Sequence, residues 1–149
     1  MEQQTKDAII KLIENSRDAI ACSIDSDGFP NAKNMFKLKH EGLKTFWFST
    51  NTSAIRTSQW MHNSKSCIYF LDAEGFHGLM LTGHMKVFLD DETKQKFWKE
   101  GDEQYYPLGP TDPDYCMLCF TAEKGNYYHG LQRHLFSVEE LQEYNPHAL

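Results

Sequence analysis

Hydrophobic and polar positions along the chain mark out a series of short elements. Ala8, Ile9, Leu12 and Ile13 recur at the spacing of one helix face, and Thr5 stands where an N-cap is expected. Ala19 to Asp25 reads as a strand, closed by Asp25-Ser26-Asp27-Gly28-Phe29-Pro30, a turn holding both Gly and Pro. A second strand runs from Asn31 to His40 and ends at Glu41-Gly42. Lys44 to Thr50 follows, with Phe46, Trp47 and Phe48 consecutive, the pattern of a strand buried on both faces. The polar stretch Thr50-Asn51-Thr52-Ser53 leads into a helix over Ala54 to His62, with Ile55 and Trp60 set against Arg56 and Gln59. Cys67 to Leu71 is another strand. Leu79 to Leu89 supplies one or two more, with Gly83 marking a bulge or a close backbone approach. Asp90 caps a helix that passes through Phe97 and Trp98 and ends around Gly101. Tyr105 to Asp114, with Pro107, Gly109, Pro110 and Pro113, is a long loop. Met117 to Ala122 and Asn126 to Gly130 read as an antiparallel pair joined across Glu123-Lys124-Gly125. Ser137-Val138-Glu139-Glu140 has the form of a capping box opening a last short helix.

Six or seven strands with short helices between them, and no regular strand–helix alternation, predict a mainly β antiparallel barrel rather than a doubly wound parallel sheet. The chain shows no internal repeat, low-complexity tract or linker, so a single domain is expected over residues 1–149. At that length folding hides about two-thirds of the unfolded surface, and a core needs no cross-links. Hydrophobic residues at 40% and aromatics at 13% exclude disorder. Fifteen Lys and Arg against 21 Asp and Glu leave a charge of −6. That balance argues against a uniformly basic nucleic-acid clamp, so an anionic ligand must be held by a local cluster of cations. No run of about 18 apolar residues is present to span a membrane. The first residues lack the order of a secretory signal, so a cytoplasmic protein with reduced thiols is expected. Cys116 and Cys119 form a CxxC, but in a strand residues three apart point to opposite faces, which favours packed thiols over a metal or redox pair.

Two stretches could carry chemistry. Alternation from Asn31 puts Lys33, Met35, Lys37 and Lys39 on one face and Asn34, Phe36 and Leu38 on the other. Such a row of cations is either a solvated edge strand protected from pairing or one wall of an anion site. Thr50 to Ser53 then feeds a helix start, where orphan N–H groups and the positive dipole end attract anions. Arg56 lies in that first turn, where a cation is unfavourable by about 0.3–1 kcal/mol. A phosphate there would satisfy donors, dipole and guanidinium together; the alternative is an arginine reaching into solvent. GxGxxG, P-loop, HExxH and GxSxG motifs are all absent. The histidines are scattered, His84 beside Gly83 being the one of interest. The aromatics Trp98, Tyr105, Tyr106, Tyr127 and Tyr128 suit a core better than a cofactor wall.

In this order the motifs resemble the FMN-binding, pyridoxamine 5'-phosphate oxidase-like split-barrel superfamily, most closely its general stress protein branch. Gly28-Phe29-Pro30-Asn31-Ala32-Lys33-Asn34-Met35 is similar to the family's G-x-P-x-x-R-x-M strand. Phe46 to Thr52 resembles its strand and phosphate loop, and Arg56 falls where the family places a phosphate-binding Lys. Trp98, Tyr106-Pro107-Leu108-Gly109 and Asp112-Pro113-Asp114 resemble the branch's helix and Y-P-x-G…D-P-D segment. The resemblance implies a six-stranded antiparallel split barrel with short flanking helices, forming a homodimer with FMN at the subunit interface. It implies that Lys33 and Arg56 hold the phosphate with Thr50, Asn51, Thr52 and Ser53. Backbone groups of Asn34, Met35 and Phe36, with Ser49, would lie along the flavin. The implied activity is a flavin-dependent oxidation or reduction of a small molecule; the alternative is a barrel that binds flavin, haem or a deazaflavin without turnover. The chain departs from the family at Lys33 for Arg, Arg56 for Lys, Ala54-Ile55 for polar residues and Tyr128 for Trp. Oxidation of pyridoxamine phosphate itself is not expected, because the tail from Leu131 offers only Arg133 and His134 for a second phosphate.

Overall fold

A computed structural model describes residues 1–142; residues 143–149 of the single domain expected over 1–149 lie outside the described residues. Helix α1 (Gln3–Asn15) buries Ile9, Leu12 and Ile13, the apolar stripe read from the sequence. Its N-cap is Glu2, without a side-chain bond, and Thr5 lies inside the first turn with its N–H on the Glu2 carbonyl. The expected Thr5 cap is thus replaced by a backbone one. The strands are β1 (Asp18–Ile24), β2 (Pro30–Glu41), β3 (Thr45–Asn51), β4 (Lys65–Asp72), β5 (His77–Phe88), β6 (Tyr115–His129) and β7 (Gln132–Ser137). Between them lie α2 (Ile55–His62), α3 (Asp91–Phe97), a short 3-10 turn (Asp102–Gln104) and, after β7, α4 (Val138–Gln142).

All strand pairs are antiparallel. In the order β3-β2-β1-β4-β5-β6 they close into a six-stranded barrel because β3 also pairs with β6, and β7 is an extra strand on β6. Closure removes the sheet edges that would otherwise template aggregation. The barrel interior holds Phe46, Phe48, Ile68, Phe70, Leu79, Leu81, Leu118 and Phe120, all inaccessible to solvent. A smaller cluster of Tyr106, Tyr115 and Met117 packs with Trp47, Phe97 and Trp98. The aromatics read as one group are therefore divided: Trp98 and Tyr106 join this cluster, Tyr127 enters the barrel core, and Tyr105 and Tyr128 are exposed.

The largest correction concerns β6. Residues Met117 to His129 lie in one continuous strand, not a hairpin, and Glu123-Lys124-Gly125 is no turn. Thr82 pairs with Lys124 and Gly83 with Ala122, so Glu123 is the extra residue of a bulge opposite Gly83. Glycine is needed at both positions for space. A Cβ on Gly83 would overlap the Thr121 carbonyl, and one on Gly125 would enter the Phe136 ring. The hairpin comes later, where Gly130 turns at φ +59° before β7.

The remaining signals hold with small shifts, except in α2, where Trp60 is buried but Ile55, expected beside it on the apolar face, is 74% exposed and Thr57 is buried instead. The Asp90 carboxylate caps α3 by accepting the Thr93 N–H at 2.9 Å, although that helix ends at Phe97 rather than near Gly101. Ser137 Oγ accepts the Glu140 N–H at 3.4 Å at the start of α4. Cys116 lies buried under the Thr50 carbonyl while Cys119 is on the other face of β6, and all four thiols are free. Burial raises the Cys119 thiol to about 11, and with the two sulfurs on opposite faces of the strand this CxxC cannot pair or share a metal. No helix among the described residues is long and apolar enough to cross a membrane.

The two glycines should respond differently to a methyl group. Gly83→Ala meets rigid backbone and is expected to cost about 3 kcal/mol, whereas Gly125→Ala meets a ring that can turn and should cost about 1 kcal/mol. Urea midpoints at unchanged m-value measure both, and equal losses would contradict the assignment.

Candidate functional site

The barrel opens along one seam. The β2–β3 ladder pairs His40 with Phe46 and Lys39 with Trp47, skips Leu38, and stops at Lys37 opposite Phe48. Beyond that point β2 stays paired only with β1, through Asp18↔Phe36 to Ile24↔Pro30, and β3 only with β6, through Ser49↔Met117 to Asn51↔Tyr115. Residues Lys33 to Phe36 thus form one lip and Ser49 to Ser53 the other, each with an edge of backbone N–H and C=O groups released from β pairing. The candidates Lys33, Asn34, Met35, Phe36, Ser49, Thr50, Asn51, Thr52, Ser53 and Arg56 all lie on these lips or at the start of α2.

Side chains separate the lips further. Residues directly opposite on paired strands share a face. Lys33 pairs with Ala21 and Met35 with Ala19, both inward-facing, whereas Asn34 and Phe36 point outward beside Ile20 and Asp18. The Asn34 amide donates to Asp18 at 3.2 Å, and Phe36 is 52% exposed. The expected row of lysines is broken at the bulge. Lys37 turns into the barrel and donates to the Ile13 carbonyl, Lys39 pairs with Glu41 at 3.4 Å, and burial lowers the pKa of Lys37. Among the described residues Lys33 has no hydrogen-bond or ion-pair partner. Helix α2 closes this end of the barrel, its Gln59 bonded to Ser23 of β1 at 2.5 Å and to Asn31 of β2 at 3.4 Å. Arg56 lies one turn before Gln59, and Lys33 lies two residues beyond Asn31 on the same face of β2.

The β3–α2 junction is tightly bonded. Thr57 Oγ1 donates to the Asn51 carbonyl at 2.7 Å, and the Arg56 guanidinium donates to Thr50 Oγ1. Asp114 spans the loop: its carboxylate accepts the Asn51 amide at 3.0 Å and the Ser53 N–H at 2.9 Å, while its carbonyl accepts the Thr52 N–H at 2.8 Å. These bonds, the Asn51 amide foremost, hold its pKa below the usual carboxylate value. Two amides that the sequence suggested for an anion are therefore already used. What remains is specific: among the described residues Thr52 Oγ1 and Arg56 Nε are buried without a hydrogen-bond partner, the Thr52 hydroxyl having only the Cys116 thiol beside it. Buried polar atoms are normally satisfied, so an orphaned hydroxyl and an orphaned guanidinium N–H at a helix start fit a bound oxyanion. The first N–H groups of α2, at Ile55 and Arg56, have no helical acceptor and add to that fit.

Comparison with known proteins agrees with this geometry. Residues 4–143 match the family described as pyridoxamine 5'-phosphate oxidase like. The chain belongs to the pyridoxamine 5'-phosphate oxidase-like family. It is 42% identical to a Clostridium acetobutylicum protein related to general stress protein 26 of Bacillus subtilis, superposing with a TM-score of 0.86 over 95% of this chain and 99% of that one. The fold is shared with a pyridoxamine 5'-phosphate oxidase-related, FMN-binding protein of Nostoc punctiforme (12% identity, TM-score 0.63, covering 91% and 90%). A heme binding protein of Mycobacterium smegmatis shares it too (11% identity, TM-score 0.73, covering 96% of this chain and 62% of that one). A search of curated proteins finds no match.

Within this pyridoxamine 5'-phosphate oxidase-like chain, sequence reading missed the role of Asp114, although the Asp112-Pro113-Asp114 segment was the signal. Asp112 is buried and accepts the Leu108 and Asp114 N–H groups, and buried Lys94 donates to its carbonyl at 2.9 Å. Sequence also missed one histidine cluster, around His77, and singled out the His84 of another without its partners. Asp72, His77 and Tyr127 form a chain of 2.9 Å contacts at the far end of the barrel. His84 contacts Ser64 at 2.8 Å and Glu123 at 3.2 Å on the surface. Among the described residues no three His, Cys, Asp or Glu side chains are grouped to hold a metal ion.

Asp114 gives the junction an acid sensitivity of known sign. Its folded pKa is depressed, so its stabilisation is present above the unfolded value of about 3.9 and is lost as pH falls through the lower folded value. Asp114→Ala should lower the melting temperature at neutral pH, flatten its decline with acidification, and speed hydrogen exchange of the Ser53 amide. An unchanged exchange rate would show that Asp114 does not hold the loop.

Proposed function

We propose that this protein binds FMN in the open seam and acts as a flavin-dependent oxidoreductase on a small molecule. The observation that carries the reading is the pair of buried polar atoms without a hydrogen-bond partner, Thr52 Oγ1 and Arg56 Nε, on one lip, with Lys33, which has no partner among the described residues, on the other. In this reading Arg56 and Lys33 hold the phosphate, with Thr50, Thr52 and the first N–H groups of α2. Asn51 and Ser53, bound to Asp114, fix the loop around it. The released backbone edge of Asn34, Met35 and Phe36, with Ser49 on the opposite lip, gives a planar ring hydrogen-bonding groups along its length. Bound there, the isoalloxazine supplies the electron or hydride transfer, and the protein supplies position and exclusion of water. Family membership supports the reading, as does the FMN-binding protein that shares the fold.

The proposal includes a homodimer. On the outer face of the sheet, Ile20, Tyr69, Met80, Asn126 and Leu135 form one cross-strand row over five strands, flanked by exposed Phe36, Leu71 and Tyr128. Asn126 Oδ1 is buried there without a partner. A contiguous apolar face of this kind marks an interaction surface. Because Phe36 stands on both this face and the lip of the seam, a second copy seated on the face would wall the cofactor site. Pyridoxamine phosphate is not the proposed substrate: Arg133 pairs opposite Tyr128, and His134 stacks on the Tyr127 ring.

The spectrum of the purified protein tests the cofactor. Flavin bands and release of FMN on denaturation are expected; a haem Soret band, suggested by the heme binding protein of the same fold, would replace the flavin reading. Lys33→Ala combined with Arg56→Ala removes two charge-assisted contacts, each worth about 1.5–3 kcal/mol, and should weaken FMN at least about a hundredfold. Unchanged FMN affinity in that variant would refute the phosphate assignment. Phe36→Asp should halve the mass measured by light scattering, and an unaltered mass would refute this dimer face.

A further inference from the structure

On the outer face of the barrel, away from the seam, two cysteines stand directly opposite each other. Cys22 of β1 pairs in register with Cys67 of β4, both half-buried and both free. Directly opposed residues on antiparallel strands carry Cβ atoms about 4.5–5.5 Å apart, close to the roughly 3.5–4.5 Å that a disulfide spans, so a bond can close with small side-chain and backbone adjustment. The pair opens onto a cavity of about 420 Å³, also lined by Lys65, His84, Glu123 and Lys124. Lys65 and Lys124 stand at its rim, and Glu123 is paired there with His84 at 3.2 Å. Neither the fold nor the seam uses these thiols. This contrasts with Cys116 and Cys119, which the strand sends to opposite faces of β6.

We propose that Cys22 and Cys67 are a redox-active pair that closes to an intrachain, cross-strand disulfide when the protein meets a hydroperoxide. The Cys22 thiolate attacks one peroxide oxygen, the O–O bond breaks, and Cys22 becomes a sulfenic acid. The departing oxygen takes up the proton that Cys22 released and leaves as water, or as an alcohol from an organic hydroperoxide. The Cys67 sulfur then attacks the Cys22 sulfur, the S–O bond breaks, and that oxygen leaves as water with the Cys67 proton. Two electrons pass from the sulfur pair to the peroxide, and the S–S bond remains. The order of roles follows from environment. Burial, and then Cys22 beside it, push the Cys67 thiol up to about 12, which leaves Cys67 the resolving role. The closed bond would tie β1 to β4, strands already paired at this position, and would leave the barrel topology unchanged.

The test uses the full-length protein treated with hydrogen peroxide, quenched, alkylated under denaturing conditions and mapped by mass spectrometry. Loss of two of the four titratable thiols, a mass lower by two hydrogens, and a Cys22–Cys67 link within one chain are expected, with Cys116 and Cys119 still alkylated. Full alkylation of Cys22 and Cys67 after treatment, or links only between chains, would overturn the proposal. In Cys67→Ser the sulfenic acid has no resolving thiol, so dimedone should label Cys22 there and not in the wild type. Equal labelling of Cys22 in both proteins would likewise overturn it.

Discussion

The candidate site exists because hydrogen bonding between β2 and β3 is interrupted at one place. Had the ladder continued past Lys37↔Phe48, the barrel wall would be closed and the groups of both lips would be spent on each other. The bulge at Leu38 adds local twist and turns β2 away from β3. It also divides the lysines. Lys37 is drawn inward, where its ammonium meets the Ile13 carbonyl in the last turns of α1 and lies 5.9 Å from the Phe70 ring centroid. A cation at the carbonyl end of a helix is favourable, so Lys37 helps anchor α1 to the barrel. Lys39 and Glu41 form a surface pair of little energetic weight. Among the described residues Lys33 is left without a partner on the side toward α2, and in a chain of net charge −6 such a local surplus is what an anion would respond to.

A carboxylate at the mouth of an anion site looks like a contradiction, and the geometry of Asp114 resolves it. Both of its oxygens are engaged by neutral donors, the Asn51 amide and the Ser53 N–H, and neither is bonded to Arg56. Its charge is spent on fixing the loop. The guanidinium is held instead by a neutral hydroxyl, that of Thr50, which orients it without cancelling its charge. The loop over Tyr105 to Asp114 is itself set by Asp112 and by the buried Lys94 ammonium on the Asp112 carbonyl. A site whose donors are pre-positioned in this way loses less ordering entropy when a ligand arrives.

Much of this was legible in the chain, and the exceptions have common causes. Alternation located β2, a consecutive apolar run located β3 (although its burial alternates, with Trp47 only half-buried), helical spacing located α1 and α2, and the caps at Asp90 and Ser137 stand where the residue types placed them. Family membership follows from motifs that the sequence displays in order. Gly125 was misread because a glycine in a strand that makes room for a ring looks the same, in one dimension, as a glycine that turns the chain. The Leu38 bulge shifts register by one residue, and residue types alone do not announce such a slip. Asp114, His77 and Cys67 meet partners far away in the chain, and only the closed topology brings those partners together.

The outer face shows how one set of strands keeps different demands apart. Along β1 and β4, Ile20 and Tyr69 belong to the apolar row, while Cys22 and Cys67 sit one paired step further on, toward Lys65, His84, Glu123 and Lys124. With period-two alternation, that single step takes the face from an apolar to a polar neighbourhood without disturbing the core on the other side. The inner positions between them, Ala21 and Ile68, remain fully buried. The proposed surface for a second copy and the proposed thiol pair can therefore share two strands, because the burial that favours association and the water access that thiolate chemistry needs are met at different points along them.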